Sequence, residues 1–368
     1  MNERLDDART DVAKIIGDQA GEWDMAGLIP LEPLRQLGAK GLLCAEVAES
    51  AGGLGFSSQD NGELIAHIGE HCGSVRSVAT CQGMAAWTVR RFGDAGQRAT
   101  FLRRLTGGEL AAMAFSEPGA GSDLSAMRTE IVADGDTVVV SGHKVWVTGA
   151  KYADLLVVFG RFGVGAAAVV VPTSAPGVRL ENVPGALGCR AGGHANVRLD
   201  AVRVPVANLL RGAGQPLGWL VTTALTYGRL SVAWGCVGIL RACLRAATTH
   251  ATSRKQFGQL LADHQMIRRH IAELLVAEQV ATRVCEHASR CWDAGSPEMV
   301  TASVVAKHVA AGHAATGSST AVQVLGSAGV LDGHVVARAY RDAKLMEIIE
   351  GSNEISQLML ADHALGTS

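Results

Sequence analysis

Glu350 is the residue of this chain whose surroundings most strongly suggest chemistry. It lies in the segment R-D-A-K-L-M-E-I-I-E-G-S-N-E-I near the end of the sequence. Leu345, Ile348 and Ile349 are three to four residues apart, which predicts one apolar face of a helix. Gly351 follows, and helices often end in a glycine with positive φ. The pattern therefore predicts that Glu350 lies at a helix C-terminus beside apolar side chains.

Such a position predicts a general base. Burial disfavours the charged form of a carboxylate, and the negative end of a helix dipole does the same. Both effects raise the pKa of Glu350 toward the range in which a base works near neutral pH. The alternative is an ordinary solvated glutamate at a helix end, which periodicity alone does not exclude.

Two further segments combine polar groups with glycine or aromatic residues. The first, M-A-F-S-E-P-G-A-G-S-D at 113–123, reads as a strand that runs into a Pro-Gly turn. Its glycines let a ligand approach bare backbone N–H groups, although an ordinary β-turn would look the same. The second is K-V-W-V-T at 144–148. Strand alternation would place Trp146 and Thr148 on one face, where an indole can stack on a planar ring. A tryptophan in the core of a β-domain is the alternative.

A third segment, R-K-Q-F-G at 254–258, is followed by His264 and Gln265. An arginine fork pairs with pyrophosphate better than a lysine does, so this segment is a candidate phosphate contact. The alternative is the exposed end of a helix.

Composition and charge exclude several classes of protein. The chain has 368 residues, 48% hydrophobic and 18% charged, which is enough for two or three domains with real cores. A net charge of -2 suggests neither a nucleic acid nor a membrane surface as partner. The N-terminus lacks the apolar core of a signal peptide, and the longest apolar run, 230–240, is too short to span a bilayer. Eight scattered cysteines without a C-x-x-C predict reduced thiols in a cytoplasmic protein, and no His/Cys spacing predicts a metal site.

The residue pattern changes twice along the chain, from helical to β-type and back to helical. We predict an α+β protein with an N-terminal helical domain (1–110), a central β-domain (111–216) and a C-terminal four-helix bundle (217–368), in which R-G-A-G-Q-P is the last linker. The predicted helices are 61–68, 84–92, 95–105, 219–254, 264–293, 297–325 and 333–368, and the predicted strands are 137–140, 155–160, 166–172 and 202–205. G-G-L-G at 52–55 is read as a turn.

Taken together, the segments around Glu350 and at 113–123, 144–148 and 254–258 resemble the acyl-CoA dehydrogenase family in order and spacing, over nearly the whole chain. Helical, β and helical domains in this order are also the architecture of that family. The resemblance implies an FAD-dependent enzyme in which Glu350 removes the α-proton of an acyl thioester.

The same resemblance implies a set of cofactor-binding residues, part of which would contact FAD bound at a neighbouring subunit. A homodimer or homotetramer follows from this. The implied residues are Phe115, Ser116, Gly121 and Ser122; Trp146 and Thr148; Arg254, Gln256, Phe257, His264 and Gln265; Gln323 and Gly326; and Ser352 and Glu354.

Arg229 resembles the arginine that lies beside the base in the family, and Gly351 follows the base directly. Three positions before that arginine the family has an acidic residue that contacts the thioester carrier, whereas this chain has Thr226. The departure argues against ordinary contacts with CoA at this point, although a threonine can still hydrogen-bond. We predict Arg229, Thr226 and Gly351 as substrate-binding residues.

Segments such as S-V-A-W-G-C-V-G-I-L-R-A-C resemble most closely a branch of the family from polyketide gene clusters. The resemblance implies oxidation of a 2-hydroxy-3-oxopropionyl thioester on an acyl carrier protein to hydroxymalonyl-carrier protein, with an unidentified electron acceptor. The rival enzyme activities are α,β-dehydrogenation of a short-chain acyl-CoA and the activity of an oxygen-consuming flavin oxygenase or oxidase. A non-catalytic flavin-binding or assembly protein is the alternative of another class.

Overall fold

The computed structural model describes residues 3–366 and begins with a group of helices. Their bounds are α1 Glu3–Ile16, α2 Ala20–Ala26, α3 Leu31–Ala39, α4 Ser58–His71, α5 Gly73–Phe92 and α6 Ala95–Thr106. The three helices predicted in this part lie inside α4, α5 and α6, and G-G-L-G forms the predicted turn. Helix α5 is buried on nearly every side and forms the centre of the group.

Side-chain caps fix where two of these helices begin. Ser57 accepts a hydrogen bond from the backbone N–H of Asp60 at 3.0 Å at the start of α4. Asp94 and Gln97 form a reciprocal capping box at the start of α6. Both caps satisfy backbone donors that have no partner inside the helix.

A seven-stranded sheet follows, with β1 Ala111–Ala114, β2 Glu130–Asp134, β3 Thr137–Val147, β4 Leu155–Phe162, β5 Gly165–Pro172, β6 Val178–Asn182 and β7 Ala195–Pro205. The strand order is β1-β4-β2-β3-β7-β6, and β5 pairs with β4. The four predicted strands lie within β3, β4, β5 and β7. Strands β2 and β6 were not predicted, because most of their side chains are exposed and they carry no continuous apolar run.

The predicted linker R-G-A-G-Q-P is docked on the sheet. The backbone N–H of Gly214 donates to the carbonyl of Ala166 at 2.8 Å, and the N–H of Ala166 donates to the carbonyl of Gln215 at 2.9 Å. The segment therefore extends the edge of β5 and holds the start of the next helix against the β-domain.

The last part contains α7 Leu217–Ser253, α8 Gln265–Asp293, α9 Met299–Leu325, α10 Val335–Met346 and α11 Asn353–Leu365. A small hairpin, β8 Lys255–Gln256 and β9 Gln259–Leu260, joins α7 to α8. The first three predicted helices are confirmed as α7, α8 and α9. The fourth is interrupted, because a turn that contains Glu350 separates α10 from α11.

Helix α7 is the core helix of this bundle. By length and composition it is the one helix within residues 3–366 that could cross a membrane, but 78% of its most apolar window is buried inside the protein. Its glycines permit very close approach to α4: a Cβ at Gly238 would overlap the backbone of Ala66. The apolar character of α7 is therefore explained by helix packing.

Candidate active site

Glu350 lies in a turn, and the predicted helix C-terminus at this residue is wrong. Helix α10 ends at Met346 with Glu347 as its cap, and Ile348 is 57% exposed. Glu350 (φ 57°) and Gly351 (φ 90°) both have left-handed backbone conformations that a helix cannot contain. The predicted effect of a helix dipole on the pKa of Glu350 therefore does not apply. Non-glycine residues held at positive φ concentrate at functional sites.

Two buried cations hold this turn. Lys307 of α9 is fully buried, and its Nζ donates to the carbonyl of Gly351 at 2.8 Å and to Oδ1 of Asn353 at 3.2 Å. Arg229 of α7 donates from Nε to the carbonyl of Glu350 at 3.1 Å. Burial lowers the pKa of Lys307 to about 8, so it still carries its charge at neutral pH. The strained turn is thus fixed by charge-assisted hydrogen bonds from two helices.

The side chain of Glu350 points into the seam between α5 and α7. Its carboxylate lies where a Cβ at Gly228 would be, and Met84 contacts the same point from α5. Oε2 of Glu350 is buried and has no hydrogen-bond partner within residues 3–366. Burial raises the pKa of Glu350 to about 7, against the charges of Arg229 and Lys307, which lower it. A carboxyl group in this state can accept a proton near neutral pH.

Arg229 and Gly351 lie beside Glu350, whereas Thr226 does not fit the predicted substrate contact. Arg229 is 4% exposed, and its Nη1 has no partner in the described part of the chain. A buried guanidinium nitrogen without a partner suits a substrate oxygen. Thr226 is buried, and its hydroxyl donates to the carbonyl of Thr222 at 2.7 Å, one turn back in α7. Its hydroxyl proton is therefore used inside the helix.

A buried ion pair positions the segment at 113–123. Lys144 of β3 is fully buried and donates from Nζ to Glu117 and to the carbonyl of Phe115, both at 2.9 Å. Glu117 also accepts from the backbone N–H groups of Arg128 and Thr129. Burial alone would raise the pKa of Glu117, but these hydrogen bonds and the charge of Lys144 hold it at about 2. The ion pair fastens the turn to the strand that carries Trp146.

The candidate cofactor residues of this segment line one edge of the β-domain. Phe115 is half-buried and stacks on Phe159 with ring centroids 4.4 Å apart. Ser116 is half-buried, whereas Gly121 and Ser122 are exposed. A Cβ at Gly121 would meet no described atom of residues 3–366 within 4 Å, so the backbone of the turn is open to a ligand.

The predicted alternation of Trp146 and Thr148 along a strand is wrong. A β-bulge lies between Lys144 and Val147, Trp146 itself has φ 55°, and β3 ends before Thr148. Both side chains nevertheless meet at His194: Thr148 Oγ1 lies 3.2 Å from its Nδ1, and the Trp146 ring centroid lies 5.9 Å away. The bulge turns the side chain of Trp146 outward, and the residue is 55% exposed.

The residues after α7 form an exposed projection. Phe257 (φ 51°) sits at the tip of the β8–β9 hairpin and is 95% exposed. Arg254, Gln256 and Gln265 are also exposed, and His264 is half-buried below the tip. Within residues 3–366, the hydrogen bonds and ring contacts of Gln256, Phe257 and His264 stay inside this segment. The projection therefore offers a contact surface to another molecule.

The remaining candidates lie at two helix ends. Gln323 and Gly326 are exposed where α9 ends. Ser352 caps α11 by accepting from the backbone N–H of Ile355 at 3.4 Å, and Glu354 is exposed in the first turn. A local helix-capping role accounts for Ser352 in this structure.

The residues of the β-domain fit FAD. An exposed indole beside a threonine hydroxyl suits the planar ring of a flavin, and an open glycine turn suits its phosphates. Trp146, Thr148, Phe115 and Ser116 would hold the ring end, and Gly121 and Ser122 the phosphate end.

One group of three possible metal ligands was not predicted from the sequence. His287, Cys291 and Glu298 bring one ligand atom each to within 4.8 Å of one another, at the junction of α8 and α9. The spacing of His287 and Cys291, four residues apart on a helix, is the signal that was missed. None of these three residues belongs to the Glu350 site described above.

Sequence reasoning also missed several residues that shape the site, namely Lys307, Lys144, Glu117, His194 and Arg76. A usable signal existed for three of them. Lys307 is the one Lys, Arg, Asp or Glu of α9, Arg76 lies among small and apolar residues in the first turns of α5, and Lys144 is a charge inside a strand. A lone charge at such a position is seldom buried unless it has a specific task.

Comparisons with known proteins give matches along nearly the whole chain. Three family models match in order: acyl-CoA dehydrogenase N-terminal domain over residues 2–109, middle domain over 112–202 and C-terminal domain over 218–365. A probable acyl-CoA dehydrogenase, YngJ of Bacillus subtilis (strain 168), is 32% identical over 96% of this chain and 94% of its own length. The mitochondrial short-chain specific acyl-CoA dehydrogenase of Mus musculus is 32% identical over 94% of this chain and 85% of its own.

Among solved structures, FkbI, described as serving biosynthesis of the methoxymalonyl extender unit of the FK520 polyketide immunosuppressant, has a TM-score of 0.94. It is 60% identical, and the match covers 97% of this chain and 99% of FkbI.

Proposed function

The chain belongs to the acyl-CoA dehydrogenase family, and from that premise we propose that it oxidises a carrier-protein thioester of a three-carbon acyl group. It is an FAD-dependent thioester dehydrogenase by family, and its α+β fold of helical, β and helical parts is that of the family. The proposed substrate is 2-hydroxy-3-oxopropionyl-carrier protein, and the proposed product is hydroxymalonyl-carrier protein.

Similarity to FkbI supports this substrate. A protein that is 60% identical over nearly the full length of both chains serves methoxymalonyl extender-unit biosynthesis. Hydroxymalonyl-carrier protein becomes methoxymalonyl-carrier protein by methylation of one hydroxyl group. Thr226 also supports a carrier other than ordinary CoA, because its hydroxyl is used inside α7 and it has no acidic group to offer.

The single observation that carries the catalytic assignment is the Glu350 turn. A carboxyl group with a pKa of about 7 lies in the seam between α5 and α7, and its Oε2 has no hydrogen-bond partner within residues 3–366. In the proposed reaction the aldehyde carbon reacts as its hydrate. Glu350 takes a proton from a hydrate hydroxyl as a hydride leaves the same carbon, and the carbon becomes a carboxyl group. Arg229 directs Nη1 toward an oxygen of the bound acyl thioester.

Bound FAD would supply the two-electron acceptor for this hydride, and a separate acceptor must then remove the electrons. The chain contributes a seam between α5 and α7 that excludes water, the base Glu350 and the oriented cation Arg229. The buried walls at Gly228 and Met84 keep water from Glu350, which preserves the raised pKa that a base requires.

We also propose a homodimer or homotetramer in a cytoplasmic setting. The hairpin tip at Phe257, with Arg254, Gln256 and His264, and the α9 end at Gln323 and Gly326 are exposed contact groups in this chain. Their exposure supports contact with FAD on a neighbouring subunit.

Mass spectrometry of the carrier protein tests the substrate. The purified yellow enzyme is incubated with 2-hydroxy-3-oxopropionyl-carrier protein and an artificial electron acceptor. The acyl adduct should gain the mass of one oxygen atom, as expected for conversion of an aldehyde to an acid. An unchanged adduct together with rapid dye reduction by butyryl-CoA would instead establish the short-chain acyl-CoA activity.

Oxygen consumption in the same incubation without the dye addresses the oxidase alternative. We expect none above background. An enzyme whose flavin no thioester reduces would be the non-catalytic flavin protein.

A further inference from the structure

Three side chains with metal-binding groups converge where α8 ends and α9 begins. The ligand atoms of His287, Cys291 and Glu298 lie within 4.8 Å of one another. His287 and Cys291 are four residues apart in α8, so both project from one face of that helix. Glu298 directly precedes α9. We call these residues the α8–α9 cluster; it combines an imidazole, a thiol and a carboxylate from two neighbouring helices.

The spacing of the cluster is close to that of a tetrahedral zinc site. With Zn–S of about 2.3 Å and Zn–N of about 2.0–2.1 Å, a tetrahedral angle separates the sulfur from the nitrogen by about 3.5 Å. Cys291 Sγ already lies 3.7 Å from His287 Nε2. Glu298 is exposed, so a change of rotamer can bring its carboxylate closer. The adjustment therefore falls to one exposed side chain, and both helices can stay in place.

The three groups are not committed to other partners. Within residues 3–366, the carboxylate of Glu298 takes part in no ion pair closer than 4.0 Å. The hydrogen bonds of Glu298 come from its backbone, which donates to Ser296 Oγ at 3.2 Å and accepts from the N–H of Ala302 at 2.8 Å. In the same part of the chain, the ring of His287 has its hydrogen-bond contact with Cys291. All three are thus available to an ion.

The chemistry of the cluster favours zinc over the lighter divalent ions. A thiolate and an imidazole suit Zn²⁺, whereas Mg²⁺ and Ca²⁺ prefer sites made of oxygen atoms. Cys291 is 8% exposed, while His287 and Glu298 are exposed. The sulfur therefore lies at the bottom of the cluster, and its solvent side leaves an entry route for the ion and a fourth position for water.

A local packing role is the alternative reading of these residues. A thiol can form a weak hydrogen bond to an imidazole, and a carboxylate before a helix N-terminus is favoured by the helix dipole. The first effect accounts for His287 and Cys291, and the second accounts for Glu298. Neither effect brings the carboxylate to the other two groups, whereas one metal ion accounts for all three positions.

We propose that His287, Cys291 and Glu298 bind one Zn²⁺ ion, which fastens the end of α8 to the start of α9. The thiolate and the carboxylate together balance the charge of the ion. The S–H bond of Cys291 breaks as the S–Zn bond forms, and the proton passes to the buffer. The sequence predicted no metal site in this chain, so this ion is additional to the chemistry of Glu350.

The position of the cluster links it to the helix packing around the Glu350 seam. Trp292 follows Cys291 directly and packs on Trp87 of α5 with the ring centroids 4.4 Å apart. Helix α5 is one wall of the seam that holds Glu350. Because the three ligands converge in the folded chain, the ion binds the folded state and stabilises this corner of the protein against unfolding.

Titration of the holoenzyme with Cd²⁺ and Zn²⁺ tests the site. The yellow holoenzyme is first freed of bound metal with a chelator. Cd²⁺ should then add a thiolate-to-metal charge-transfer band to the ultraviolet difference spectrum, and the band should saturate at one ion per chain. Calorimetry with Zn²⁺ in two buffers of different ionisation enthalpy should give the same stoichiometry and the release of about one proton per ion.

Substitutions of single ligands sharpen the test. Cys291→Ser should abolish the Cd²⁺ band, and both Cys291→Ser and His287→Ala should weaken Zn²⁺ binding by about 100-fold, since each zinc ligand carries a large share of the binding free energy. Glu298→Gln should weaken it by only about tenfold, because an amide oxygen can still coordinate. His270→Ala is the matched control: His270 lies in the same helix and contacts Glu273 instead. It should leave the affinity unchanged.

The proposal is overturned if the wild-type holoenzyme shows no charge-transfer band, or if the band persists in Cys291→Ser. Zinc binding without that band would be adventitious contact with exposed histidines and would overturn it equally. If Cys291→Ser does not fold, the ratio of zinc affinities between His287→Ala and His270→Ala decides alone. Zn²⁺ should also raise the thermal unfolding temperature of the wild type more than that of His287→Ala.

Discussion

Two buried carboxylates of this chain have the same raised pKa and very different surroundings. Burial raises the pKa of both Glu350 and Glu46 to about 7. Glu46 accepts hydrogen bonds from Asn61 at 3.1 Å and from the indole N–H of Trp292 at 3.2 Å. Glu350 has a buried oxygen without a hydrogen-bond partner among residues 3–366, and its backbone is left-handed. A raised pKa alone therefore does not identify a base; the free oxygen and the strained, clamped backbone do.

The two sites also differ in what holds them. The Glu46 carboxylate is satisfied by neutral donors and senses the charge of Arg90. The Glu350 turn is held through its backbone carbonyls by Lys307 and Arg229, while Oε2 of its carboxylate has no hydrogen-bond partner in the described part of the chain. The first arrangement stabilises a packed interface. The second keeps a reactive group available, and such pre-organisation is what catalysis requires.

The largest expected effect is on catalysis at Glu350. Glu350→Gln should retain the yellow colour and slow flavin reduction by about 10³-fold or more, because the loss of a positioned base typically costs 10²–10⁴-fold. Anaerobic stopped-flow absorbance measures this rate. Glu347→Gln, in the same turn, is the matched control and should stay within about threefold of the wild-type rate. Equal rates in the two variants would remove Glu350 from the mechanism.

The next largest effect should come from removing one of the two buried cations that hold the Glu350 turn. Lys307→Met leaves the Gly351 carbonyl buried without its donor, so the free energy of unfolding should fall by about 2–4 kcal/mol. Urea unfolding followed by circular dichroism measures the change. Lys344→Met is the control: Lys344 is exposed and pairs with Glu347 at 3.0 Å, and its loss should cost less than about 1 kcal/mol. Similar losses of unfolding free energy in both variants would contradict the claim that Lys307 holds the Glu350 turn.

The smallest effect concerns Glu46. Because its folded pKa lies above its unfolded value of 4.5, the folded state keeps a proton that the unfolded state has lost. Glu46 therefore lowers stability as pH rises from about 4.5 to about 7, by about 1–3 kcal/mol. Glu46→Gln should reduce this pH dependence in thermal unfolding between pH 5 and pH 8.

Flavin reduction in Glu46→Gln should remain within about threefold of the wild-type rate. Glu49→Gln, an exposed neighbour, should leave the pH dependence of unfolding as it is in the wild type. A tenfold or greater loss of activity in Glu46→Gln would show that the two carboxylates are not as different as their contacts indicate.

The sequence predicted what local patterns determine and missed what distant contacts determine. The helices α4–α9 and most strands follow from periodicity, and the choice of Glu350 as the candidate base follows from the family resemblance of its segment. The turn at Glu350 does not, because Lys307 and Arg229 hold it from 43 and 121 residues away in the chain, as counted from their numbers. The same holds for Trp146: its outward position depends on a bulge against β7 and on His194, neither of which alternation reveals.

Thr226 gives a second lesson. Its residue type permitted a substrate hydrogen bond, but in α7 the nearest acceptor is the carbonyl of Thr222. Threonine hydroxyls in helices commonly bond in this way, so the backbone competes with any ligand.

The pH dependence of single-turnover flavin reduction tests the central claim most directly. The wild-type enzyme is mixed anaerobically with 2-hydroxy-3-oxopropionyl-carrier protein between pH 5.5 and pH 8.5, and the flavin absorbance is followed. If Glu350 is a buried base with a pKa of about 7, the rate should be constant above that pH and fall about tenfold per pH unit below it. A rate that does not change across this range would contradict the account.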